Sequence, residues 1–285
     1  MHKHLFIFFL TFQLQFCILA QTSYLPLHRN ILLYTSPKSD SLHSFHSSIK
    51  PYLHSELLQD SDSSLIPLFF RNSASIHKYN SSLSLRPILI ASYGAGSGHI
   101  SKTSGGIELR YNASRNLSFV ASYLINRELF PSQYAALLDS GFIPHYGKLL
   151  SKSNNTYIYQ EFTGYVSWSP FRFMNLQIGK DRNFWGDGYR SLFLSDNSNS
   201  YPFIKTTLSA WHIKYVSLLA FLKDVNLPGS GNNLYPKFSA MHYLSWNATH
   251  RLNFSFFESK ENLVCICQLN SNTVLLLQNI ESQIL

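Results

Sequence analysis

The chain has 285 residues, of which 45% are hydrophobic and 15% aromatic, whereas only 13% are charged. Soluble domains usually carry about twice that charged fraction, so the composition argues against an ordinary cytosolic enzyme and favours strands with one face in lipid and the other in a polar lumen. The formal net charge of +8 favours acidic partners such as lipid phosphates or acidic polysaccharide. Because the basic residues are scattered, we expect no nucleic-acid partner.

Residues 1–20 have the features of a cleavable secretory signal peptide. His2, Lys3 and His4 precede an apolar run that ends at Ala20, and we expect cleavage after that alanine. A membrane-anchoring helix is the alternative, but the run is shorter than the roughly 20 residues that a spanning helix needs, and two glutamines interrupt it. The segment therefore predicts export to the cell envelope.

Residues 21–79 form a polar lead-in before the first regular pattern. Apolar residues recur at mostly helical spacing over 41–59, although Pro51 interrupts them. We expect one or two short helices here, on the periplasmic side of the membrane. A disordered linker is the alternative, since the run 60–64 is rich in Asp and Ser.

A rhythm of strand-like runs then fills residues 80–258. We predict nine strands, at 83–92, 106–113, 116–126, 157–168, 171–180, 203–210, 213–223, 237–247 and 250–258. Most are near the roughly 9 to 11 residues of a tilted membrane strand. Short links alternate with the long connections 93–105, 127–156, 181–202 and 224–236. Short turns on one side and long loops on the other predict an all-β fold, a transmembrane antiparallel β-barrel.

The two faces of the predicted strands differ in polarity. In 250–258, Leu252, Phe254 and Phe256 alternate with polar residues, so one side suits lipid and the other a wet interior. We expect Tyr157, Tyr159 and Trp168 to lie in an aromatic girdle, because they are near predicted strand ends. The alternative is that these aromatic residues belong to the core of a soluble β-fold.

Nine strands present a difficulty, since bacterial single-chain barrels close with an even number. Residues 259–285 also alternate poorly, with a continuous apolar run at 263–267. We therefore expect the sequence to be a truncated or frame-shifted member of its family, with a partial barrel at 80–258 and an atypical tail. Cys265 and Cys267 are the cysteines left after signal cleavage, and their spacing is poorly suited to a disulfide.

The run 171–205 is the most distinctive part of the chain. It starts as an alternating strand and continues as GKDRNFWGDGYRSLFLSD, which combines opposite charges, aromatic residues and three glycines, and it closes with YPFIK. This run resembles the signature of the Wzi-type capsule-assembly proteins of the outer membrane, in the branch related to Bacteroidetes gliding-motility proteins, and the similarity extends over about 80–258. The resemblance implies a barrel with a helical N-terminal piece and a role in capsule assembly or surface motility.

The same run supplies the candidate binding residues. Aromatic rings offer flat faces on which a sugar can stack, and charged side chains pair with acidic sugars or their hydroxyls. The glycan-binding candidates are Trp185 and Tyr189 for stacking, Asp187, Arg190 and Asp196 for polar contacts, and Lys180 and Arg182 for positive charge. A structural alternative remains, in which Asp181 or Asp187 pairs with Arg182 or Arg190 and the aromatic rings plug the barrel.

The sequence contains no pattern that predicts a catalytic residue, a cofactor or a metal site. The glycine-rich run 93–98 lacks the Gly-Lys-Ser/Thr of a phosphate loop and is interpreted as an exposed loop. The histidines lack metal-ligand spacing, and no Gly-x-Ser-x-Gly elbow is present. We therefore predict a non-enzymatic outer-membrane protein whose partners are outer-membrane lipid and surface polysaccharide. A secreted or outer-membrane lectin or hydrolase on a soluble β-fold is the alternative, and a diffusion pore is a third.

Overall fold

The computed structural model describes residues 24, 27, 45–53, 74–78, 81–95, 99–130, 134, 138, 142–143, 147–148, 150–153, 156–187, 191–224, 235–249, 252–269 and 272–278. Nearly all of the described chain is in β-strands, and all of the strand pairs are antiparallel. The prediction of an all-β, antiparallel fold is therefore confirmed. No helix in this part of the chain is both long and apolar enough to cross a bilayer.

The described part of the chain contains sixteen strands. They are β1 (Ile49–Lys50), β2 (Ala74–Lys78), β3 (Ser81–Ala95), β4 (His99–Ser114), β5 (Leu117–Leu129), β6 (Phe142–Ile143), β7 (Gly147–Lys148), β8 (Ser151–Ser153), β9 (Thr156–Phe171), β10 (Met174–Asp181), β11 (Phe184–Trp185), β12 (Tyr201–Ala210), β13 (Ile213–Asp224), β14 (Tyr235–Thr249), β15 (Leu252–Leu269) and β16 (Asn272–Gln278).

One 12-stranded sheet contains most of these strands, and its order follows the chain. From one edge to the other it runs β2, β3, β4, β5, β9, β10, β12, β13, β14, β15 and β16, with β8 paired alongside β9. All nine predicted strands are found in it, and β2, β8 and β16 are additional. The two edge strands do not pair with each other, so the sheet of the described residues is open and is not a closed barrel.

All of the long connections lie at one end of the sheet. At the other end, called the turn end, two residues separate the strands of each hairpin, at 79–80, 115–116, 172–173, 211–212 and 250–251. The opposite end, called the loop end, has the gaps 96–98, 130–155, 182–200, 225–234 and 270–271. The prediction of a long loop at 93–105 is wrong, because β3 and β4 continue into this range. Tyr93 to Ala95 are in a strand rather than in an exposed loop.

Two other predictions about secondary structure differ from the strands that are observed. The helical spacing around Ile49 does not produce a helix within 45–53, where β1 pairs with β11 instead. Pro51 lacks a backbone N–H and blocks a helix at that point. In the tail, expected to depart from the strand pattern, β15 continues to Leu269 and β16 pairs with it.

Glycine allows neighbouring strands to approach closely at two points of the sheet. A Cβ on Gly106 would lie 2.9 Å from Leu124 Cα and closer still to the Tyr123 carbonyl oxygen, and a Cβ on Gly179 would lie 2.5 Å from Tyr165 Cα. Ordinary contact begins at 3.4 Å. Strand glycines of this kind mark sharp curvature or close backbone approach, and here they let the sheet bend around its inner face.

Candidate functional site

The large sheet buries polar side chains on one face and exposes apolar side chains on the other, which is the reverse of a soluble fold. The face that is covered, called the inner face, carries many buried polar or charged side chains: Ser84, Arg86, Ser104, Glu108, Ser118, Asn126, Ser167, Asn175, Gln177, Lys205, Thr207, Lys214, Ser239, Ser245 and Asn247. In β12, for example, Lys205 and Thr207 are buried whereas Ile204 and Leu208 between and beside them are exposed. A soluble fold usually buries its apolar side chains and exposes its polar ones.

The outer face carries the exposed apolar side chains of almost every strand. It includes Leu83, Leu85, Leu89, Ile107, Leu109, Tyr111, Phe119, Tyr123, Ile125, Phe162, Val166, Trp168, Ile178, Ile204, Leu208, Ile213, Leu219, Phe221, Trp246, Phe254 and Phe256. The predicted outward position of Phe254 and Phe256 is confirmed. A continuous apolar surface of this extent is far larger than the patches that monomeric soluble proteins expose.

Aromatic rings lie at both ends of the outer face, and Tyr123 and Phe162 are further exposed rings in mid-strand. At the turn end, Phe171 stacks on Phe173 with 5.3 Å between ring centroids, Trp246 lies 5.7 Å from Phe254, and Trp211 is 93% exposed in its turn. Trp168 is exposed in the same band, as predicted. At the loop end, the rings of Phe221 and Phe238 meet edge to face with centroids 6.1 Å apart. Tyr93, close to the loop end of β3, is also exposed.

Tyr157 and Tyr159 do not belong to either band. Both are buried on the inner face, because their positions in β9 have the parity of buried Tyr165 and Ser167. Their rings pack in a cluster with Phe130, and Tyr159 donates a hydrogen bond to Glu128 Oε2 at 2.5 Å. The prediction that these two tyrosines form part of the girdle is wrong.

The inner face is covered in part by the N-terminal segment 45–53. Its strand β1 pairs with β11 from the 182–200 loop, with Ile49 opposite Trp185 and Lys50 opposite Phe184. Asn247 Nδ2 of β14 donates to the Phe45 carbonyl at 2.8 Å. The segment is therefore held from two sides, by the loop and by the sheet.

Trp185 lies at the centre of this packing and is completely buried. Its ring centroid is 5.5 Å from that of Tyr243 and 6.2 Å from that of Phe257, and it belongs to a cluster with Ile49 and Phe203. The backbone N–H of Trp185 donates to the Leu194 carbonyl at 2.9 Å. The loop 182–200 thus folds back onto the inner face and fixes its tryptophan there.

Gly186 makes the turn that follows Trp185. Its φ of +134° is in the region that favours glycine. Its N–H donates to the Ser48 carbonyl at 2.7 Å, and its own carbonyl accepts a hydrogen bond from Lys50 Nζ at 3.2 Å. The Lys50 ammonium also lies 4.9 Å from the centroid of the Phe184 ring. These contacts satisfy a buried cation with a carbonyl and an aromatic face.

His46 is buried between the segment and the sheet, with 5% of its surface exposed. Its Nδ1 is 2.8 Å from Ser245 Oγ. Burial, with smaller contributions from the nearby Lys214 and His212, lowers the pKa of His46 to about 3. The imidazole is consequently neutral at physiological pH, which suits a side chain packed beside a buried lysine.

A second polar network surrounds Tyr24 and Lys205. Tyr24 donates to Asn175 Oδ1 at 2.7 Å, and Asn175 Nδ2 donates to Ser167 Oγ at 2.8 Å. The Lys205 ammonium lies 4.4 Å from the centroid of the Tyr24 ring and donates to Asn183 Oδ1 at 2.9 Å. Hydrogen-bonded polar groups therefore occupy the position where a soluble sheet would pack apolar side chains.

Ion pairs extend along the inner face of β3, β4, β5 and β9. Arg86 pairs with Glu108 at 2.7 Å, and Arg110 reaches the same carboxylate at 3.4 Å. Arg182 pairs with Glu161 at 2.5 Å. Arg182 therefore has a glutamate partner, and its backbone N–H donates to Asp181 Oδ1 at 2.8 Å. The alternative pairings with Arg190 lie outside the described residues.

The glycan-binding candidates do not form one exposed patch. Trp185 is buried, so its ring offers no face to a sugar; Arg182 points to the inner face and is engaged by Glu161. Lys180 follows the outer-face parity of Ile178 in β10. Asp187 is exposed and accepts a hydrogen bond from Ser47 Oγ at 2.7 Å. Asp196 is half-buried, and Tyr189 and Arg190 lie outside the described residues.

Sequence reasoning missed His46, Lys50, Tyr24 and Lys205 as members of the interior. Lys205 had a local signal, since it alternates with Ile204 in a strand whose outward residues are apolar. His46, Lys50 and Tyr24 had none, because they reach the inner face through pairings distant in sequence. Within the described chain, no group of three or more His, Cys, Asp or Glu side chains is arranged to hold a metal ion.

Comparison with known proteins finds no counterpart for this chain: no family model, no curated protein and no solved structure matches it. The resemblance of the 171–205 run to Wzi-type proteins therefore stays a prediction.

Proposed function

We propose that this chain is a non-enzymatic outer-membrane protein that helps to assemble or attach surface polysaccharide, or that supports gliding-type surface motility. The observation that carries the membrane part of the proposal is the inverted burial of the sheet. Apolar side chains cover the outer face and polar side chains are buried on the inner face, which is the pattern of strands between lipid and a polar interior.

The spacing of the aromatic bands supports the same location. In β14, eight residues separate Phe238 at the loop end from Trp246 at the turn end. At about 3.4 Å per residue this is roughly 27 Å along the strand, or about 20 Å along the membrane normal for a strand tilted by about 40°. Aromatic girdles flank an apolar band of about 25 Å in outer-membrane proteins, so the two heights are similar.

The filled inner face argues against an open diffusion pore. The segment 45–53, the buried Trp185 and the ion pairs of β3, β4 and β9 occupy the interior side of the sheet. A soluble lectin or hydrolase is disfavoured for a different reason: such a fold would leave the outer face with a very large apolar surface in water.

The polysaccharide part of the proposal rests on the loop 182–200. Asp187 is exposed in that loop, and the sequence continues with Tyr189 and Arg190, an aromatic ring and a guanidinium suited to an acidic sugar. We assign Trp185 the role of a scaffold that fixes this loop, rather than a stacking face. The site residues for the glycan are then Asp187, Tyr189 and Arg190.

Membrane location is tested by expressing the chain with its signal peptide in a Gram-negative host. We expect the protein in the outer-membrane fraction, resistant to carbonate extraction and soluble only with detergent. Recovery from the periplasm or the medium without detergent would overturn the membrane proposal and support the soluble alternative. Steady single-channel conductance in planar bilayers would support a pore instead.

Glycan binding is tested on the detergent-solubilised protein with alginate as an acidic polysaccharide and dextran as a neutral one. We expect retention on alginate, and at least a tenfold loss of affinity when Tyr189 and Arg190 are both replaced by alanine. Lys223→Ala is the control, because Lys223 is an exposed cation outside the loop 182–200. Equal losses in both variants would show that the binding is general charge attraction, and they would refute the assigned site.

A further inference from the structure

A polar row crosses the outer face of β12 to β15. Thr206 pairs in register with Ser217, Ser217 with His242, and His242 with Glu258. The four side chains therefore lie side by side on four neighbouring strands, in one row across the strands. They share their face with the apolar residues of the rows above and below, such as Leu219.

This row lies midway between the two aromatic bands. In β14, His242 is four residues from Trp246 of the turn-end band and four residues from Phe238 of the loop-end band. In register with Thr206, the outer face continues with Leu176 of β10 and Trp168 of β9. On β14 and β15 the ionisable side chains near the middle of the proposed hydrocarbon layer are His242, Glu258 and the exposed Lys260, which is one row nearer the loop end.

Ionisable side chains that face lipid at this depth are costly, and they occur mainly where they pair or serve a function. His242 has one internal partner: its Nδ1 is 2.8 Å from Tyr215 Oη, and the two rings are stacked with centroids 6.0 Å apart. When Tyr215 donates to Nδ1, the hydrogen of the neutral imidazole is on Nε2, which is then a donor. No hydrogen bond or ion pair joins Glu258 to the described part of the chain.

We propose that this row is the interface of a homodimer in the membrane, with a second copy of the chain as the occupant. The inference rests on the membrane location proposed above. His242 and Glu258 are register partners on adjacent strands, about 5 Å apart at their backbones. A two-fold axis along the membrane normal, passing between β14 and β15, places Glu258 of each copy against His242 of the other.

The arrangement favours a second copy over a different protein because the His242–Glu258 pair is self-complementary. A two-fold interface brings the same surface of both subunits together, so the groups beside the axis must find their complements within that surface. An acid and a base in register on neighbouring strands meet this condition, since the two-fold creates two identical Glu258–His242 pairs.

The experiment measures the mass of the detergent-solubilised protein by sedimentation equilibrium, after extraction from the outer membrane. We expect a dimer for the native chain. His242→Glu alone and Glu258→His alone should each weaken the dimer at least tenfold, because like groups then face each other. The double variant, His242→Glu with Glu258→His, should restore it.

Glu261→His is the matched control, because Glu261 is on the same strand as Glu258 but follows the inner-face parity and pairs with Lys237 at 2.8 Å. It should leave the dimer intact. A monomeric native protein, or a dimer that neither single variant weakens, would overturn the interface while leaving the membrane location standing. Absence of the native chain from the outer membrane would overturn both, and a complex with another protein through the same residues would overturn the choice of occupant.

Discussion

Gly106 and Gly105 provide a test of the curvature of the sheet, because they are adjacent in β4 and differ sharply in the space around them. A Cβ on Gly106 would lie 2.9 Å from Leu124 Cα and even closer to the Tyr123 carbonyl oxygen, whereas a Cβ on Gly105 would meet only Leu89 Cδ2 at 3.9 Å. Gly106→Ala therefore requires β4 and β5 to separate, while Gly105→Ala does not.

The size of the effect follows from the ladder that must open. Gly106 pairs with Leu124 in the middle of the long β4–β5 register. Overpacking of a filled site costs about 1–3 kcal/mol, and each backbone hydrogen bond that lengthens out of range costs about 1 kcal/mol more. We expect Gly106→Ala to lower the free energy of unfolding by about 3 kcal/mol or more, and Gly105→Ala to change it by less than about 1 kcal/mol.

The assay is urea unfolding of the protein in lipid vesicles, followed by tryptophan fluorescence, together with the amount recovered in the outer-membrane fraction. A loss confined to Gly106→Ala would support the close strand approach at that position. Equal stability of the two alanine variants, or a larger loss for Gly105→Ala, would refute the reasoning about the strand spacing.

Three further predictions concern the filled inner face. Trp185→Ala should lower the free energy of unfolding by about 3–5 kcal/mol, measured in the same urea assay, whereas Trp211→Ala in the exposed turn should cost less than about 1 kcal/mol; similar losses would contradict the burial of Trp185. Because the pKa of His46 is about 3 when folded and about 6.5 when unfolded, the unfolded form binds more protons between these values, so docking of the segment 45–53 should weaken as pH falls from 6.5 towards 3. Limited proteolysis across that range measures this, and His46→Gln should flatten the profile. Glu161→Gln leaves Arg182 without its carboxylate and should lower the free energy of unfolding by about 3 kcal/mol; no loss would mean that the pair is open to solvent.

The strands were predictable because the period-two pattern continues through the sheet and one face is consistently apolar. In β12, the alternation of Ile204 and Leu208 with Lys205 and Thr207 is legible in the sequence and matches the observed burial. Strand ends were less predictable: β3 continues through Tyr93 to Ala95 because backbone pairing with β4 overrides the local turn preference of glycine.

The interior was not predictable, since its contacts join distant parts of the chain. Helical spacing around Ile49 is a local signal, but pairing with Trp185 selects a strand. Tyr157 and Tyr159 are near a strand end, as girdle residues would be, yet their parity turns them inward. The sequence left two roles open for Trp185, a stacking face for a sugar or a ring that fills the interior. Its complete burial favours the second role.

The strand directions constrain how the large sheet can become a continuous wall in a membrane. Neighbours along the order from β2 to β16 are antiparallel, and the order contains an odd number of strands, so the two edge strands run in the same direction. A direct β2–β16 pair would therefore be parallel. Antiparallel closure needs an odd number of additional strands that link β16 to β2. Unpaired edges are not tolerated in hydrocarbon, and single-chain bacterial barrels have even counts. Membrane insertion of this sheet thus depends on how its edges are paired as much as on its apolar outer face.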